Sequence, residues 1–336
     1  MDIFPIWLIV LFSIFGLISL AALIAAIIYF SARTKFDRES RQYLALMGEE
    51  APKLTEDGIE FRDLNKNGKL DIYEDPRQPI DARVENLLSQ MTLEEKAGML
   101  FQPMITCTEE GELIEEYSTF VTPEPTSKQV VGRNIRHFNI FGNVSPSTMA
   151  KWYNKLQKMA ERTRLGIPVS ISSDPRHSFQ KNIGAAITTK GFSSWPDPIG
   201  FGAIGDPTVV QEFGNIARQE YLATGIRVAL HPMADLATEP RWARISGTFG
   251  ENAELAGKLT TAYINGFQNG EIGPESVSCM VKHFPGGGPQ KNGLDAHFPY
   301  GKDQVYPGNN FDYHLIPFEE VFKNTDVQQI MPYYGV

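Results

Sequence analysis

Short apolar runs alternate with amphipathic stretches along most of this 336-residue chain. The apolar runs, which are rich in β-branched and aromatic residues, lie near residues 99–105, 135–141, 167–172, 226–233, 276–283 and 328–334. Stretches with helical spacing lie between them, at roughly residues 147–164, 208–224, 251–269 and 314–323. Strands that are apolar throughout and alternate with helices are typical of a parallel sheet covered by helices.

The predicted fold class is therefore α/β, and two architectures fit the pattern. A closed (β/α)8 barrel of the TIM type has eight strands and typically about 250 residues. The chain from Ala97 to Val336 is slightly shorter, so we expect an incomplete barrel with about six of the eight strands. A six-stranded doubly wound sheet is the alternative, although no G-x-G-x-x-G motif follows the first strand to indicate dinucleotide binding.

The N-terminal segment differs from the rest of the chain because residues 5–30 contain no charged side chain. A helix of that length spans the roughly 30 Å apolar core of a bilayer, so residues 1–30 are predicted to be an uncleaved transmembrane anchor that contacts lipid through residues 5–30. Four basic residues follow it, and the positive-inside rule then places the main domain in the cytoplasm. They are Arg33, Lys35, Arg38 and Arg41.

Between the anchor and the sheet we expect a polar linker over residues 31–60 and a helical lead-in over residues 61–96, with the partial barrel over residues 97–336. Residues 81–90 have apolar positions at helical spacing, and Thr92 and Glu95 have the spacing of a capping box for a second short helix.

Composition removes some classes of function. The net charge is -9 and no basic cluster lies in the body of the chain, which argues against nucleic-acid binding. The two cysteines, Cys107 and Cys279, cannot form a disulfide framework and are predicted to be buried thiols.

Residues 63–74 match the calcium-binding loop of an EF-hand. The expected oxygen ligands are Asp63, Asn65, Asn67, the Lys69 carbonyl, Asp71 and Glu74. Gly68 permits the sharp turn, and no strong helix precedes the loop. We expect a structural Ca²⁺ clip there and no organic cofactor, whereas an Asn/Asp/Gly turn that binds nothing is the alternative.

Polar residues at the ends of the predicted strands are the candidate functional groups, since such residues line the active sites of β/α barrels. Asp174 follows the third apolar run, and Lys282 and His283 end the fifth, just before a Pro/Gly turn. Arg241 and Arg244 flank Trp242 in the loop after the fourth run, which suits a sugar ring and its hydroxyls. A core histidine, a snorkelling lysine and a surface loop packed by a tryptophan are the structural alternatives.

These motifs together resemble glycoside hydrolase family 3. The resemblance lies in Lys282-His283-Phe284-Pro285-Gly286, in residues 239–244 and 247–252, and in the calcium-like loop followed by residues 91–96. It covers about residues 61–336 and implies a (β/α)8 barrel that cleaves β-linked glucosides from their non-reducing ends with retention. It also implies that Asp174, Arg244, Lys282 and His283 bind the terminal sugar.

The resemblance places the catalytic carboxylates elsewhere. In this family the nucleophile is an aspartate at the end of the seventh strand, which we expect beyond Val336, and in the glucosidase branch the acid/base is a glutamate of a later domain. We therefore expect this chain alone to be inactive. The β-N-acetylhexosaminidase branch uses an Asp/His pair in the fifth-strand loop as its acid/base, and Asp295 with His297 resembles that pair. The resemblance would make His297 the acid/base, although Gly287 stands where that branch has a histidine and the spacing to Asp295 is longer.

Three alternatives to a catalytic β-glucosidase stay open at this point. One is a non-catalytic sugar-binding pseudo-enzyme, one is a β-N-acetylhexosaminidase, and one is a calcium-dependent, membrane-tethered adhesion module. An enzyme that degrades external polysaccharides would favour an extracellular domain, whereas a cytoplasmic domain would meet short imported glucosides.

Overall fold

The structure, a computed structural model, describes residues 5–118, 124–178 and 189–336. The chain divides into two compact units. Unit 1 comprises Met1–Met99, Leu113–Ile135 and Lys158–Ile167, and unit 2 comprises Leu100–Glu112, Arg136–Gln157 and Pro168–Val336.

Helices and strands follow one another in the predicted alternation. The helices of the described residues are α1 (Ile6–Leu44), α2 (Ile80–Gln90), α3 (Leu93–Gly98), α4 (Pro146–Glu161), α5 (Pro198–Ile204), α6 (Pro207–Thr224), α7 (Ala253–Gln268) and α8 (Phe311–Asn324). The strands are β1 (Lys53–Glu56), β2 (Ile59–Arg62), β3 (Met104–Thr106), β4 (His137–Phe141), β5 (Ser170–Ser173), β6 (Ile226–Ala229), β7 (Ser278–Phe284) and β8 (Gln329–Pro332).

Helix α1 extends well beyond the apolar stretch that predicted it. The segment Val10–Leu44 is long and apolar enough to cross a membrane by length and composition, and its most apolar window is fully exposed. Residues 1–4 of the predicted anchor lie outside the described residues.

The last turns of α1 pack within unit 1. Phe36 is buried and contacts the ring of Tyr117, with 5.8 Å between ring centroids. The Ser40 hydroxyl donates to the carboxylate of Glu115 over 2.7 Å, and the ring of Tyr43 lies against Gly132.

The prediction of a linker over residues 31–60 therefore needs correction, because most of that segment has regular secondary structure. Helix α1 continues to Leu44, and β1 and β2 form an antiparallel hairpin that ends just before Asp63. A polar, mixed-charge composition does not by itself indicate a segment without regular secondary structure. One face of a helix can be polar while the other packs against a neighbouring segment.

Helix α3 begins with the predicted capping box. The Thr92 side chain accepts a hydrogen bond from the Glu95 N–H, and the Glu95 carboxylate accepts one from the Thr92 N–H. Together they satisfy two N–H groups that the first turn of a helix leaves unpaired.

Strands β3 to β8 form one six-stranded parallel sheet in unit 2. Each strand pairs with the strand that follows it in the chain, so the order is β3-β4-β5-β6-β7-β8 with no reversal. The carboxyl ends of all six strands consequently point to the same edge of the sheet, where the loops that carry the candidate residues begin.

Helices α6 and α7 form the best-packed contact in unit 2. They approach closely at Gly214 and Gly266, where an added Cβ would lie only 2.8 Å from the Tyr263 carbonyl and 2.5 Å from the Gln211 carbonyl, respectively. Glycine at both positions lets the two backbones meet, and aromatic rings of the two helices contact each other, with 5.6 Å between the centroids of Tyr221 and Phe267.

The two cysteines are buried as predicted. Burial raises the pKa of the Cys107 thiol to about 12 and that of the Cys279 thiol well above its ordinary value. Neither thiol is therefore reactive near neutral pH.

Candidate functional site

An ion pair joins two of the predicted site residues across the sheet. Asp174 directly follows β5 and Lys282 lies near the end of β7, and 3.0 Å separates Lys282 Nζ from Asp174 Oδ1. The Asn139 amide donates to the other carboxylate oxygen of Asp174 over 3.3 Å. The carboxylate is thus held on both oxygens by side chains from β4 and β7, and only a limited part of it is exposed.

A second pair, which the sequence did not single out, joins Asp235 to His283. Asp235 Oδ2 accepts a hydrogen bond from His283 Nδ1 over 2.9 Å and another from the His283 N–H over 3.2 Å. Its other oxygen accepts one from the Gly287 N–H. The Asp235 side chain is fully buried, so this carboxylate fixes both the ring of His283 and the turn after β7.

The electrostatics of these pairs follow from burial. Burial lowers the pKa of the Lys282 ammonium, although Asp174 opposes the shift. Burial also lowers the pKa of His283 more than Asp235 raises it. Burial alone would raise the pKa of Asp235, but the His283 charge and the hydrogen bonds from His283 and Gly287 outweigh it and lower that pKa. At neutral pH Asp235 is ionised, and His283 keeps its proton on Nδ1.

Arg244 lies beside the same groups and lines a cavity with Lys282. The Arg244 guanidinium is 3.5 Å from the sulfur of Met233 and lowers the pKa of both Lys282 and His283 through its charge. The cavity has a volume of about 770 Å³ when space open to solvent is included, and proline and aromatic side chains form much of its wall.

A chain of buried hydrogen bonds connects the backbone carbonyl of Asp174 to Tyr221, His231 and Tyr263. The Tyr221 hydroxyl donates to the Asp174 carbonyl over 3.1 Å and lies 3.1 Å from His231 Nε2. The Tyr263 hydroxyl lies 2.7 Å from His231 Nδ1. Because Tyr221 has one hydroxyl hydrogen, His231 donates from Nε2 and accepts at Nδ1, as a neutral imidazole does. Burial lowers the pKa of His231 well below its ordinary value, which agrees with that neutral state.

His297 lies apart from these pairs, on the surface. Its Nδ1 is 2.6 Å from Asp295 Oδ1, its ring contacts Tyr334 at 4.8 Å between centroids, and about half of its side chain is exposed. The structure therefore contains the Asp295–His297 pair, and the proposed acid/base role of His297 stays a prediction.

The calcium-like loop lies in unit 1, between the β1–β2 hairpin and α2. Asp63 accepts hydrogen bonds from the Asn67 and Gly68 N–H groups over 3.0 and 2.8 Å, and Glu74 accepts one from the Leu64 N–H over 2.6 Å. The Lys69 N–H donates to the side-chain oxygen of Asn67 over 2.8 Å. As expected, no helix leads directly into the loop, because β2 ends at Arg62, just before Asp63.

Three of the expected calcium ligands converge. The amides of Asn65 and Asn67 each lie 2.7 Å from Asp71 Oδ2. Within the ranges that the structure describes, no three His, Cys, Asp or Glu side chains form a metal-binding group. A metal here would therefore need amide and carbonyl oxygens beside the carboxylates, which is the mixture that Ca²⁺ accepts.

Residues 92–334 match the model of the glycosyl hydrolase family 3 N-terminal domain. The chain therefore belongs to glycosyl hydrolase family 3. The matched residues include the Asp174–Lys282 pair, the Asp235–His283 pair and Arg244.

The chain is 49% identical over 275 residues to β-glucosidase C of Emericella nidulans, a match that covers 81% of this chain and 43% of that protein. It is 43% identical over 290 residues to the periplasmic β-glucosidase/β-xylosidase of Dickeya chrysanthemi, covering 85% of this chain and 44% of that protein. The chain thus spans less than half the length of these relatives.

A solved structure of a β-glucosidase involved in saponin metabolism from intestinal bacteria matches with a TM-score of 0.56 and 26% identity. This match covers 75% of the present chain and 29% of the solved one. The similarity therefore extends to the backbone of the α/β fold.

Proposed function

We propose that unit 2 is an incomplete (β/α)8 barrel. The observation that supports this is the strand order, because six parallel strands follow one another without a reversal. A doubly wound sheet reverses its strand order at the ligand crevice, whereas a barrel does not. Strands β3 and β8 each have one neighbour in the described sheet, and a closed barrel would give each of them a second one.

The function that this site supports best is the binding of the terminal sugar by an exo-acting, retaining β-glucosidase, which hydrolyses O-glycosyl bonds at non-reducing ends. The carrying observation is the Asp174–Lys282 pair at the carboxyl edge of the sheet, with Arg244 and His283 beside it. A buried ammonium with a partly buried carboxylate and guanidinium offers both donors and acceptors to sugar hydroxyls. The β-glucosidase relatives make glucosides the first substrates to test.

The chain by itself is expected to bind sugar without hydrolysing glycosides. Retaining glycosidases use a nucleophilic carboxylate and a carboxylic acid about 5–5.5 Å apart. Asp174 is held by Lys282 and Asn139, and Asp235 is held by His283, so both carboxylates of the site already have hydrogen-bonding partners.

Calorimetric titration of the chain with glucose tests the binding function. Wild-type chain is expected to bind, whereas Asp174→Asn and Arg244→Lys are expected to weaken binding at least about tenfold because each loses a charge-assisted or bidentate contact. Asp303→Asn, an exposed surface change, is the control. Equal affinity of all four proteins would refute the assignment. Turnover of an aryl β-glucoside that Asp174→Asn abolishes would refute the inactivity.

A β-N-acetylhexosaminidase is the second candidate, favoured by one observation. Asp295 and His297 form a hydrogen-bonded pair in the loop after β7, where that branch of the family has its acid/base. The β-glucosidase relatives argue for the first candidate. Titration with N-acetylglucosamine separates the two, because tighter binding of that sugar than of glucose would reverse their order. A pseudo-enzyme would bind glucose and stay inactive in every longer form of the polypeptide.

We also propose a structural Ca²⁺ at residues 63–74. Asn65 and Asn67 both face Asp71, and a half-turn of each amide would present oxygen where nitrogen now lies. Asp63, Glu74 and the Lys69 carbonyl would complete the ligands. The test is thermal unfolding with Ca²⁺ and with a chelator, and Asp71→Asn serves as the matched variant. Equal unfolding midpoints with Ca²⁺ and with chelator would refute the Ca²⁺ site. They would also refute the adhesion-module alternative, which depends on that site.

The membrane anchor is likewise a proposal. Its support is the exposed apolar surface of α1 over residues 10–30, which a signal sequence would also show. Arg33, Lys35, Arg38 and Arg41 favour a cytoplasmic domain, whereas one relative is periplasmic. Carbonate extraction of membranes tests the anchor, and protease protection of sealed vesicles tests the side.

A further inference from the structure

Aromatic side chains mark both ends of the apolar part of α1. Trp7 lies near its start and Tyr29 near its end, and both side chains are exposed. The helix advances by about 1.5 Å per residue, so about 33 Å separate the two along its axis, close to the roughly 30 Å of a bilayer core. Tryptophan and tyrosine are enriched at the two membrane–water interfaces. In a chain anchored by α1, Tyr29 therefore lies at one of these interfaces.

Tyr117 of unit 1 packs against this end of α1. Its ring centroid is 5.5 Å from that of Tyr29 and 5.8 Å from that of Phe36. Because a helix completes two turns in about seven residues, Tyr29 and Phe36 lie on one face, about 10 Å apart along the axis. The similar ring distances place Tyr117 about midway, roughly 5 Å beyond the level of Tyr29. The headgroup layer on each side of a bilayer core is about 5–7 Å thick, so the Tyr117 ring lies within that layer.

The charged side chains at this level carry both signs. Arg33 and Lys35 are exposed and lie about 6 and 9 Å beyond Tyr29 along the helix axis, where cations reach lipid phosphates. Arg33 is 3.7 Å from Asp37, an exposed pair that holds the guanidinium only weakly. Glu116, also exposed, directly precedes the tyrosine of unit 1. Such a mixture suits headgroups that themselves carry both charges, as zwitterionic phospholipids do.

Hydrogen bonds and an ion pair tie this part of unit 1 to α1. The hydroxyls of Ser40 and Ser127 both donate to one oxygen of Glu115, over 2.7 and 2.6 Å. Lys128 Nζ lies 3.0 Å from the carboxylate of Glu39, and both side chains are largely shielded from solvent. The segment around Glu115 therefore keeps a fixed level along the helix, and unit 1 does not hang on a loose tether.

We propose that unit 1 rests on the phospholipid headgroups of the bilayer that holds α1, with the Tyr117 ring inserted among them. The inference rests on the proposed membrane anchor, because only an inserted α1 brings Tyr117 to this level. It gives the chain a second membrane contact beside the helix itself, and the lipid it fits is zwitterionic.

Nitroxide labels on introduced cysteines test the proposal in the full chain, reconstituted into phosphatidylcholine nanodiscs. The native thiols are buried and their pKa values are raised, so they do not compete for the label. Ser118→Cys reports the level of Tyr117. Leu20→Cys, at an exposed position of α1, reports the bilayer core, and Leu46→Cys, exposed just after α1, reports water. Access to oxygen, which concentrates in the bilayer, and to a water-soluble nickel complex measures the depth of each label.

The Leu20→Cys label is expected to favour oxygen, the Leu46→Cys label to favour nickel, and the Ser118→Cys label to lie between them. Adding Tyr117→Ala is expected to bring the Ser118→Cys label to the nickel access of Leu46→Cys, whereas Tyr117→Phe keeps the ring and the depth. If the Leu20→Cys label favours oxygen but the Ser118→Cys label matches Leu46→Cys, the proposal is overturned and the anchor stands. Equal depths with Tyr117→Ala and Tyr117→Phe would also overturn it. If the Leu20→Cys label favours nickel, the anchor and the proposal both fail.

Discussion

Replacing Asp235 with asparagine is expected to lower the free energy of unfolding by about 1.5–3 kcal/mol, the usual contribution of hydrogen bonds to a charged group. Asn and Asp have nearly the same shape, so no cavity forms. One oxygen of Asp235 accepts from the ring and backbone of His283, and the other accepts from the Gly287 N–H. The single oxygen of an amide can serve only one side. Its NH₂ group must then face an N–H donor on the other side.

Urea unfolding followed by circular dichroism measures this change, with Asp303→Asn as the matched control. Asp303 makes an exposed pair with Lys291, and such pairs contribute about 0–1 kcal/mol. The folded Asp235→Asn chain should also lose affinity for glucose, because the His283 ring is no longer held. A loss of stability below about 1 kcal/mol would show that Asp235 is not the constraint that the geometry implies.

Three further predictions concern other parts of the chain. Lys282→Met is expected to weaken glucose binding at least about tenfold in calorimetry, since a charged hydrogen bond is lost; unchanged affinity would contradict this. Stability should fall as the pH drops from 7 to 5, because burial lowers the pKa of His231 and the unfolded chain then binds more protons. His231→Gln should reduce that fall by up to about 2 kcal/mol; equal pH profiles of the two proteins would exclude this cause. Thr92→Ala should lower the free energy of unfolding by about 1 kcal/mol through loss of the capping box, with Ser89→Ala as the neutral control. If both variants lose the same stability, the capping box does not stabilise the fold.

Strands and helices of unit 2 were predictable because burial dictates their composition. The run at residues 226–233 contains β6 at Ile226–Ala229, and the stretch at 251–269 contains α7 at Ala253–Gln268. Strand β6 is shorter than its apolar run because the run continues into the buried loop residues 230–233. Helix α5 was missed, since seven residues rich in glycine carry no clear periodicity.

The candidate site was partly predictable for a similar reason. Asp174 and Lys282 were identified by their positions at strand ends, and the structure brings them within 3.0 Å. Asp235 also follows a predicted strand, and the same rule could have identified it. Its partner could not be read from the sequence, because the His283–Asp235 contact spans 48 residues and depends on how β6 and β7 align.

Helix α1 is continuous from its apolar part to the residues that pack within unit 1, so these two parts of the helix rotate together. Each residue of an α-helix turns the chain by about 100° and advances it by about 1.5 Å. Phe36 and Ser40 pack against other residues of unit 1. The direction in which each apolar side chain of α1 points around the helix axis is therefore fixed with respect to those residues. Inserting one residue after Ser31 would rotate the apolar part by about 100° and leave the contacts of Phe36 and Ser40 intact. Lipid surrounds a helix equally on all sides and is indifferent to such a turn, whereas a partner helix is not, so an insertion series at this point distinguishes a simple anchor from an assembly surface.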